Sequence, residues 1–158
     1  MIRVGFGYDS HRFATGRPFI LGGQRIAFEK GLEGHSDADA VAHAVTDAIL
    51  GAAGAGDLGA MFPDSDPRWK DADSLIMLRL AREHINGLGF HPVQADVTIV
   101  CERPHLGVYK HAMAGAIAGE LGIPPDAVGM KAKTNEAMGF VGRGEGVVVF
   151  AVAVVEVR

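Results

Sequence analysis

The sequence predicts an α+β fold in which strands and helices alternate along the chain. Two observations carry this prediction. Strand-like apolar segments alternate with segments whose apolar residues recur at helical spacing. The last strand segment is apolar at every position, which is typical of a strand buried on both faces. The 158 residues suffice for one domain with a hydrophobic core, and no repeat or low-complexity linker divides them.

Strand-like sequence opens the chain. The first two strands are predicted over residues 2–9 and 20–27, with a turn over residues 14–18 between them. Because the chain begins with a strand and lacks a basic and then apolar leader, we expect no signal peptide.

The first helix is predicted to begin near Ser36 and to run to about Ala53. Ser36 can cap the helix, and Asp39 then lies in the first turn, where a negative charge is favourable. Gly54 follows the last periodic residue and is expected to end the helix.

His43 lies opposite the apolar face of this helix, with Asp39 and Asp47 one turn to either side. A polar stripe of this kind can simply face solvent. The functional alternative is that Asp39 or Asp47 orients the His43 ring, as a metal-bound histidine usually requires.

Three further elements precede the last strand. A helix over residues 73–88 is expected to end at Gly89, and a strand follows over residues 95–101. A helix rich in small residues is predicted over residues 111–121, where Gly122 stops it.

The last strand, over residues 147–155, carries information about assembly. It lacks the alternation of a half-exposed strand, so both of its faces are expected to be buried. In a two-layer domain with helices on one side only, another subunit would have to cover the second face. The strand therefore indicates an oligomer. The alternative is a central strand enclosed within a larger monomeric fold.

Composition excludes several classes of protein. A net charge of −4 offers no electrostatic basis for nucleic-acid binding. Cys101 is the only cysteine, so no intrachain disulfide can form and a reducing compartment is expected. The longest apolar run is too short to cross a bilayer. We therefore expect a cytoplasmic protein without a membrane partner.

Asp9, His11 and His43 form a candidate metal-binding set. In a strand, Asp9 and His11 project from the same face. Two imidazoles and one carboxylate can hold a divalent metal and leave a coordination position open, which is typical of catalytic sites. Alternatively, Asp9 caps a turn and both histidines are ordinary polar residues.

The loops carry residues suited to polyols and phosphates. Segments 56–59 and 62–66 place three aspartates and two glycines after the first helix, where they can bind hydroxyls or simply terminate turns. Lysines, Thr134 and Glu136 lead into the glycine-rich segment 139–146, a combination suited to phosphate and a second metal. No Walker A or dinucleotide-binding motif is present.

Several of these segments, taken in order, resemble one family. The segments that carry the resemblance are residues 7–11, 34–43, 56–59, 62–66, 133–136 and 139–146. Together they closely resemble the 2-C-methyl-D-erythritol 2,4-cyclodiphosphate synthase family of the non-mevalonate isoprenoid pathway, over essentially the whole chain. The resemblance implies a two-layer sandwich with a mixed sheet, helices on one face, and the sheets of three subunits packed around a central axis.

The resemblance also implies a reaction. The family converts 4-diphosphocytidyl-2-C-methyl-D-erythritol 2-phosphate to the cyclic diphosphate and releases CMP. By this resemblance Asp9, His11 and His43 hold Zn²⁺. Glu136 holds Mg²⁺ or Mn²⁺ that bridges the diphosphate, and His35 and Thr134 stabilise the transition state.

The remaining site residues follow from family position. The residues implied to bind substrate are Ser36, Asp57, Leu58, Gly59, Phe62, Pro63, Asp64, Ser65, Asp66, Cys101, Glu102, Arg103, Pro104, His105, Leu106, Gly107, Lys133, Asn135, Phe140 and Arg143. Residues 101–107 correspond to the loop that takes the cytidine base. The family is a homotrimer with active sites between subunits, and Phe140, Arg143 and Glu145 match the lining of a central cavity that can bind isoprenoid diphosphates.

Two other functions use the same residues. A zinc-dependent phosphohydrolase would activate water at the metal and release orthophosphate or linear phosphates. A non-catalytic trimer that binds isoprenoid diphosphates would be expected to lack a metal ligand, and no ligand is lost here. His84, His91 and His111 belong to no motif, and we expect them at the surface.

Overall fold

A computed structural model describes residues 1–158. The strands are β1 (Ile2–Ala14), β2 (Ile20–Leu21), β3 (Gln24–Arg25), β4 (Gly31–Leu32), β5 (Phe90–Val100), β6 (Val128–Lys133) and β7 (Gly146–Val157). The α-helices are α1 (Ala40–Ala53), α2 (Leu58–Met61), α3 (Ser74–Gly87), α4 (Lys110–Leu121) and α5 (Gly139–Gly142). Single 3₁₀ turns span Pro67–Trp69, Gly107–Tyr109 and Pro125–Ala127.

Five strands form one mixed sheet in the order β4-β1-β7-β5-β6. The apolar strand β7 lies at its centre and pairs antiparallel with both β1 and β5. Strands β5 and β6 run parallel, because the chain between them crosses over through α4. The predicted mixed sheet of an α+β fold is confirmed.

The helices cover one face of this sheet, and α1 lies closest to it. Gly5 and Gly7 of β1 face α1, and a Cβ at either position would overlap a backbone carbonyl oxygen of Ala48 or Ala44. The absence of side chains lets the helix rest directly on the strand backbone. This close approach brings His43 of α1 next to the part of β1 that carries Asp9 and His11.

We expect Gly7→Ala to lower the free energy of unfolding by about 2–4 kcal/mol, because either the helix or the strand backbone must move. Gly51→Ala is the matched control, since nothing lies within 4 Å of the added methyl group on the exposed side of α1. The control should stabilise the protein by about 0.5–1 kcal/mol. Urea unfolding at one protein concentration measures both. Equal effects of the two substitutions would contradict the close approach.

The opposite sheet face is apolar and uncovered. On β1, Val4, Phe6 and Tyr8 are 65%, 61% and 48% exposed, and on β7 Val152 is 38% exposed. We call the surface formed by these four residues the open sheet face. Of the predicted strand 147–155 only Val152 is exposed, so β7 is buried on the helix face and partly covered on the open sheet face. A strand fully enclosed within one chain, the alternative, is not found.

Several predicted boundaries shift. The helix capped by Ser36 in the prediction begins at Ala40, and Asp39 is the N-cap, whose side chain accepts a hydrogen bond from the Ala42 N–H. The predicted strand over residues 20–27 is a hairpin of two short strands, and β1 extends to Ala14. No helix combines the length and apolar character needed to cross a membrane.

Candidate metal centre

Asp9, His11 and His43 converge as the sequence predicts. Strand alternation turns Asp9 and His11 toward α1, from which His43 meets them. Asp9 Oδ2 lies 2.8 Å from His11 Nε2 and 3.0 Å from His43 Nδ1, and the two ring nitrogens are 3.3 Å apart. The three residues therefore form a group able to hold a metal ion.

The donor set fits a small divalent cation. With bonds of about 2 Å, the ligand atoms of a tetrahedral Zn²⁺ site lie about 3.3 Å apart, close to the separations found here. The far nitrogen of His11 donates to the Glu33 carbonyl at 2.7 Å, which leaves Nε2 free to ligate. Three protein ligands leave one position open. The predicted zinc triad is thus confirmed as a group that can hold a metal.

Charge and burial shift the pKa values of this group. Burial raises the pKa of Asp9, but hydrogen bonds and charge from His11 and His43 outweigh it, so the Asp9 pKa lies below its ordinary value. Burial lowers the pKa of His11, but the hydrogen bond and charge of Asp9 outweigh it and the His11 pKa lies above its ordinary value. Without metal, Asp9 therefore favours a protonated His11.

This proton competes with the metal. Because the His11 pKa is raised, we expect metal affinity to fall as the pH drops, starting above the ordinary histidine pKa of about 6.5. Zinc retained after dialysis against a weak chelator, at steps from about pH 8 to about pH 5.5, measures this dependence. Zinc content that stays constant across this range would contradict the prediction.

The partners of His43 differ from those predicted. His43 is buried, so it does not lie on a solvated helix face. Asp39 accepts hydrogen bonds from the backbone N–H groups of Gly22, Gly23 and Ala42, while Asp47 accepts from Leu58. The prediction that either aspartate orients the His43 ring is wrong.

Ser74, which the sequence analysis missed, takes that place. Its Oγ lies 2.8 Å from His43 Nε2, and Ser36 Oγ lies 3.1 Å from the same nitrogen. Because Ser74 follows the N-cap Asp73 of α3, its local sequence indicates only a helix start. Nothing in the sequence pattern places α3 beside α1.

The triad opens into a cavity of about 260 Å³. Besides the three candidate ligands, its lining contains six predicted site residues: His35, Ser36, Leu58, Gly59, Phe62 and Asp64. Trp69 and Met77 also line it, although no sequence motif indicated them. Two residues predicted to bind substrate instead stabilise the local loop structure. Asp57 caps α2, and Asp66 caps the Pro67–Trp69 turn and pairs with Arg68. Their carboxylates terminate turns, the second role considered for these loops.

A separate cavity of about 240 Å³ lies at the predicted cytidine loop. Its lining includes Cys101, Pro104, His105, Leu106, Gly107, Lys133 and Thr134. No residue lines both this cavity and the metal cavity. Within one chain, His35 and Thr134, the two predicted catalytic residues, therefore line different cavities.

The chain that carries this metal centre matches a known family over nearly its full length. Residues 2–156 match the YgbB family. This chain belongs to the YgbB family. The resemblance found in the sequence motifs is thereby confirmed.

Relatives within the family carry one name. A protein of Symbiobacterium thermophilum is 52% identical over 155 residues, covering 98% of this chain and 99% of its own length. A protein of Syntrophus aciditrophicus is 54% identical over 155 residues, covering 98% of both chains. Both are named 2-C-methyl-D-erythritol 2,4-cyclodiphosphate synthase.

Solved structures share the fold. The CDP-bound form of a 2C-methyl-D-erythritol-2,4-cyclodiphosphate synthase matches with a TM-score of 0.89 at 38% identity, over 98% of this chain and 100% of its own. The bifunctional IspDF from Campylobacter jejuni matches with a TM-score of 0.96 at 39% identity over this whole chain. The YgbB chain described here spans 43% of that bifunctional protein.

Two predicted loop residues have defined local roles in this YgbB-family chain. Glu102 Oε1 accepts hydrogen bonds from the backbone N–H groups of Asn135 and Ala137, both at 3.1 Å. Its carboxylate therefore joins the predicted cytidine loop to the loop that carries Thr134 and Glu136. Glu136 is exposed and does not belong to the metal-binding group.

The predicted central-cavity residues divide between two cavities. Phe140 and Glu145 line a cavity of about 270 Å³ together with His11 and Arg12. Arg143 lines another, of about 370 Å³, although its Nε donates to Glu145 at 2.6 Å. Of the histidines expected at the surface, His84 and His111 are exposed and His91 is half-buried.

Proposed function

We propose that the protein converts 4-diphosphocytidyl-2-C-methyl-D-erythritol 2-phosphate to 2-C-methyl-D-erythritol 2,4-cyclodiphosphate and CMP. The observation that carries this proposal is the triad of Asp9, His11 and His43 at the metal cavity, in a chain whose relatives carry the name of this synthase. The reaction is that of a phosphorus–oxygen lyase.

The chemistry needs no protein nucleophile. An oxygen of the 2-phosphate forms a bond to the β-phosphorus, and the bond from that phosphorus to the oxygen bridging the α-phosphorus breaks. CMP leaves with the bridging oxygen and its electron pair. Because attacker and target belong to one molecule, catalysis consists of positioning and charge stabilisation.

The residues of the metal cavity would supply both the positioning and the charge stabilisation. Asp9, His11 and His43 would hold Zn²⁺, which would supply a Lewis acid that stabilises negative charge on the diphosphate. His35 and Ser36 lie in the same cavity and position the phosphates beside the triad. Leu58, Gly59 and Asp64 line it and would hold the methylerythritol part.

The second cavity would bind the cytidine. Cys101, residues 104–107 and Lys133 line this cavity and would surround the base and ribose, and Thr134 would contact the diphosphate. Glu136 would hold Mg²⁺ or Mn²⁺, which would neutralise charge on the diphosphate. The CDP-bound form of a synthase that shares this fold supports a cytidine nucleotide as the ligand.

The active site would be complete only between subunits. Because the two cavities share no lining residue, we propose that the metal half from one subunit faces the cytidine half of its neighbour. The open sheet face supplies the contact in a homotrimer, since burying Val4, Phe6 and Tyr8 removes a large apolar surface from water. Phe140, Arg143 and Glu145 would then lie at the central cavity, which could take an isoprenoid diphosphate.

Phosphorus NMR tests the proposed reaction. The zinc-replete protein is incubated with the cytidyl diphosphate substrate and Mg²⁺, and a cyclic diphosphate and CMP are expected. A matched incubation without protein gives the background. Accumulation of orthophosphate or linear phosphates without cyclic product would overturn the proposal and favour the phosphohydrolase.

A further inference from the structure

The nitrogen of His43 that faces away from the candidate metal position is enclosed by hydroxyl groups. Nε2 lies 2.8 Å from Ser74 Oγ and 3.1 Å from Ser36 Oγ. Ser74, Ser36 and His43 are only 0%, 6% and 5% exposed. Since water hardly reaches this nitrogen, its hydrogen-bond partners decide which of the two ring nitrogens carries the proton of the neutral imidazole.

Asp37 fixes the direction of the hydrogen bonds. Its Oδ1 contacts Ser74 Oγ at very short range, and its Oδ2 accepts from the Ser74 backbone N–H at 3.1 Å. An ionised carboxylate can only accept, so the Ser74 hydroxyl must donate to Asp37. Ser74 Oγ then offers a lone pair to His43, whose Nε2 must carry the proton.

We propose that His43, Ser74 and Asp37 form a relay that holds His43 in the tautomer required for metal binding. A proton on Nε2 leaves Nδ1, the atom that faces Asp9 and His11, with a free lone pair. Metal-binding histidines commonly donate their other N–H directly to a carboxylate or a carbonyl. Here the Ser74 hydroxyl lies between the His43 ring and the Asp37 carboxylate. Ser74 and Asp37 therefore act as positioning residues.

The backbone holds the relay in place from two sides. Asp37 Oδ1 also accepts from the Asp39 N–H at 3.1 Å, while Asp39 caps α1, the helix that carries His43. Between the two aspartates, Ala38 is buried with φ of 60°, in the left-handed region that non-glycine residues seldom adopt. The turn thus aims the Asp37 carboxylate at the first residue of α3 instead of at solvent.

Ser36 does not replace Ser74 in this role. Its Oγ lies 3.4 Å from Ser74 Oγ, and no carboxylate contact to the Ser36 hydroxyl is found. Ser36 also lines the metal cavity, so its hydroxyl can turn toward a phosphate. Ser74 alone combines a short contact to His43 with a carboxylate behind it.

Zinc affinity tests the relay. The relay rests on the proposed function only for the identity of the metal, because binding is measured without substrate. In competition with a chromophoric chelator, Ser74→Ala and Asp37→Asn are expected to weaken zinc binding about 10- to 100-fold. Ser74→Thr keeps the hydroxyl and should restore most of the affinity. Thr46→Val is the control: it removes a buried hydroxyl of α1 that donates to the Ala42 carbonyl and makes no hydrogen bond with His43.

A second measurement separates orientation from folding. Nitrogen NMR of the metal-free wild type should show His43 protonated at Nε2, and metal-free Ser74→Ala should show a mixture of tautomers. Wild-type zinc affinity in both Ser74→Ala and Asp37→Asn would overturn the relay. An equal loss in Thr46→Val, or no recovery in Ser74→Thr, would overturn it as well. If affinity falls as expected but the wild type forms no cyclic diphosphate, the relay stands and the proposed reaction fails.

Discussion

His43→Ala is expected to abolish stoichiometric zinc binding and to slow cyclic diphosphate formation by about 10³-fold or more. The substitution removes one of three ligands, and the remaining pair, Asp9 and His11, cannot hold the ion against competing chelators. A metal that stabilises developing charge contributes several kcal/mol to the rate, and each 1.36 kcal/mol corresponds to about tenfold. Atomic absorption of the purified variant and phosphorus NMR of its products measure the two effects.

His84→Ala is the matched control for this variant. It also removes a histidine from a helix, but His84 is exposed on α3 and belongs to no metal-binding group. Zinc content and rate should remain at the wild-type level. If His43→Ala retained one zinc per chain, His43 would not be a ligand.

Two inactive variants should restore activity when they assemble together. His43→Ala damages the metal half of the site, and Thr134→Val damages the cytidine half. In a mixed trimer, some sites combine the intact metal half of one subunit with the intact cytidine half of its neighbour. In the proposed trimer, arranged as a symmetric ring, every mixed assembly has about one third of its sites whole, whichever variant is present twice.

Co-expression with two affinity tags isolates the mixed assemblies, and mass spectrometry verifies their composition. For the isolated mixed trimers we expect about a third of the wild-type rate, whereas each variant alone is inactive. Co-expressed His43→Ala and His11→Ala serve as the control, because both damage the same half and no site can be whole. Verified mixed trimers without recovered activity would show that the site lies within one chain.

The sequence predicted two of the three candidate ligands from strand alternation alone. Asp9 and His11 lie two residues apart, and β1 keeps the expected alternation through this region. His43 entered the set by residue type and by family resemblance. Its burial was not predicted, because it results from the close packing of α1 on Gly5 and Gly7. Helical periodicity does not show how near a neighbouring strand can come.

The partners of the ligands escaped prediction for the same reason. Ser74 contacts His43 only because α3 packs beside α1, and no local pattern encodes that contact. Asp39 was expected in the first helical turn, but it caps the helix and also accepts two N–H groups from the hairpin turn at Gly22 and Gly23. The capping rules for helices located Asp39 near the start of α1. They could not predict its hydrogen bonds to a distant part of the chain.

The apolar character of β7 was predicted correctly, but its meaning required the structure. Within one chain, Val147 is fully buried while Val152 is 38% exposed. The apolar sequence of β7 indicates that both of its faces are buried. Only the structure shows that the helices lie on one side and leave part of the second face exposed within one chain.

The contact of α1 with the glycines of β1 also has a consequence for ion choice. Because Gly7 lies against the backbone of Ala44, one residue from His43, the distance between the imidazole and Asp9 is set by two main chains in contact. The contact fixes the separation of the two backbones from which the ligand side chains project. The donor atoms are separated by 2.8–3.3 Å, which suits ions with bonds near 2 Å. Calcium takes six to eight oxygen ligands at about 2.3–2.6 Å, which two imidazoles and one carboxylate do not supply. Backbone packing thus sets the distance between the two elements that carry the ligands, and the donor atoms set the choice of ion.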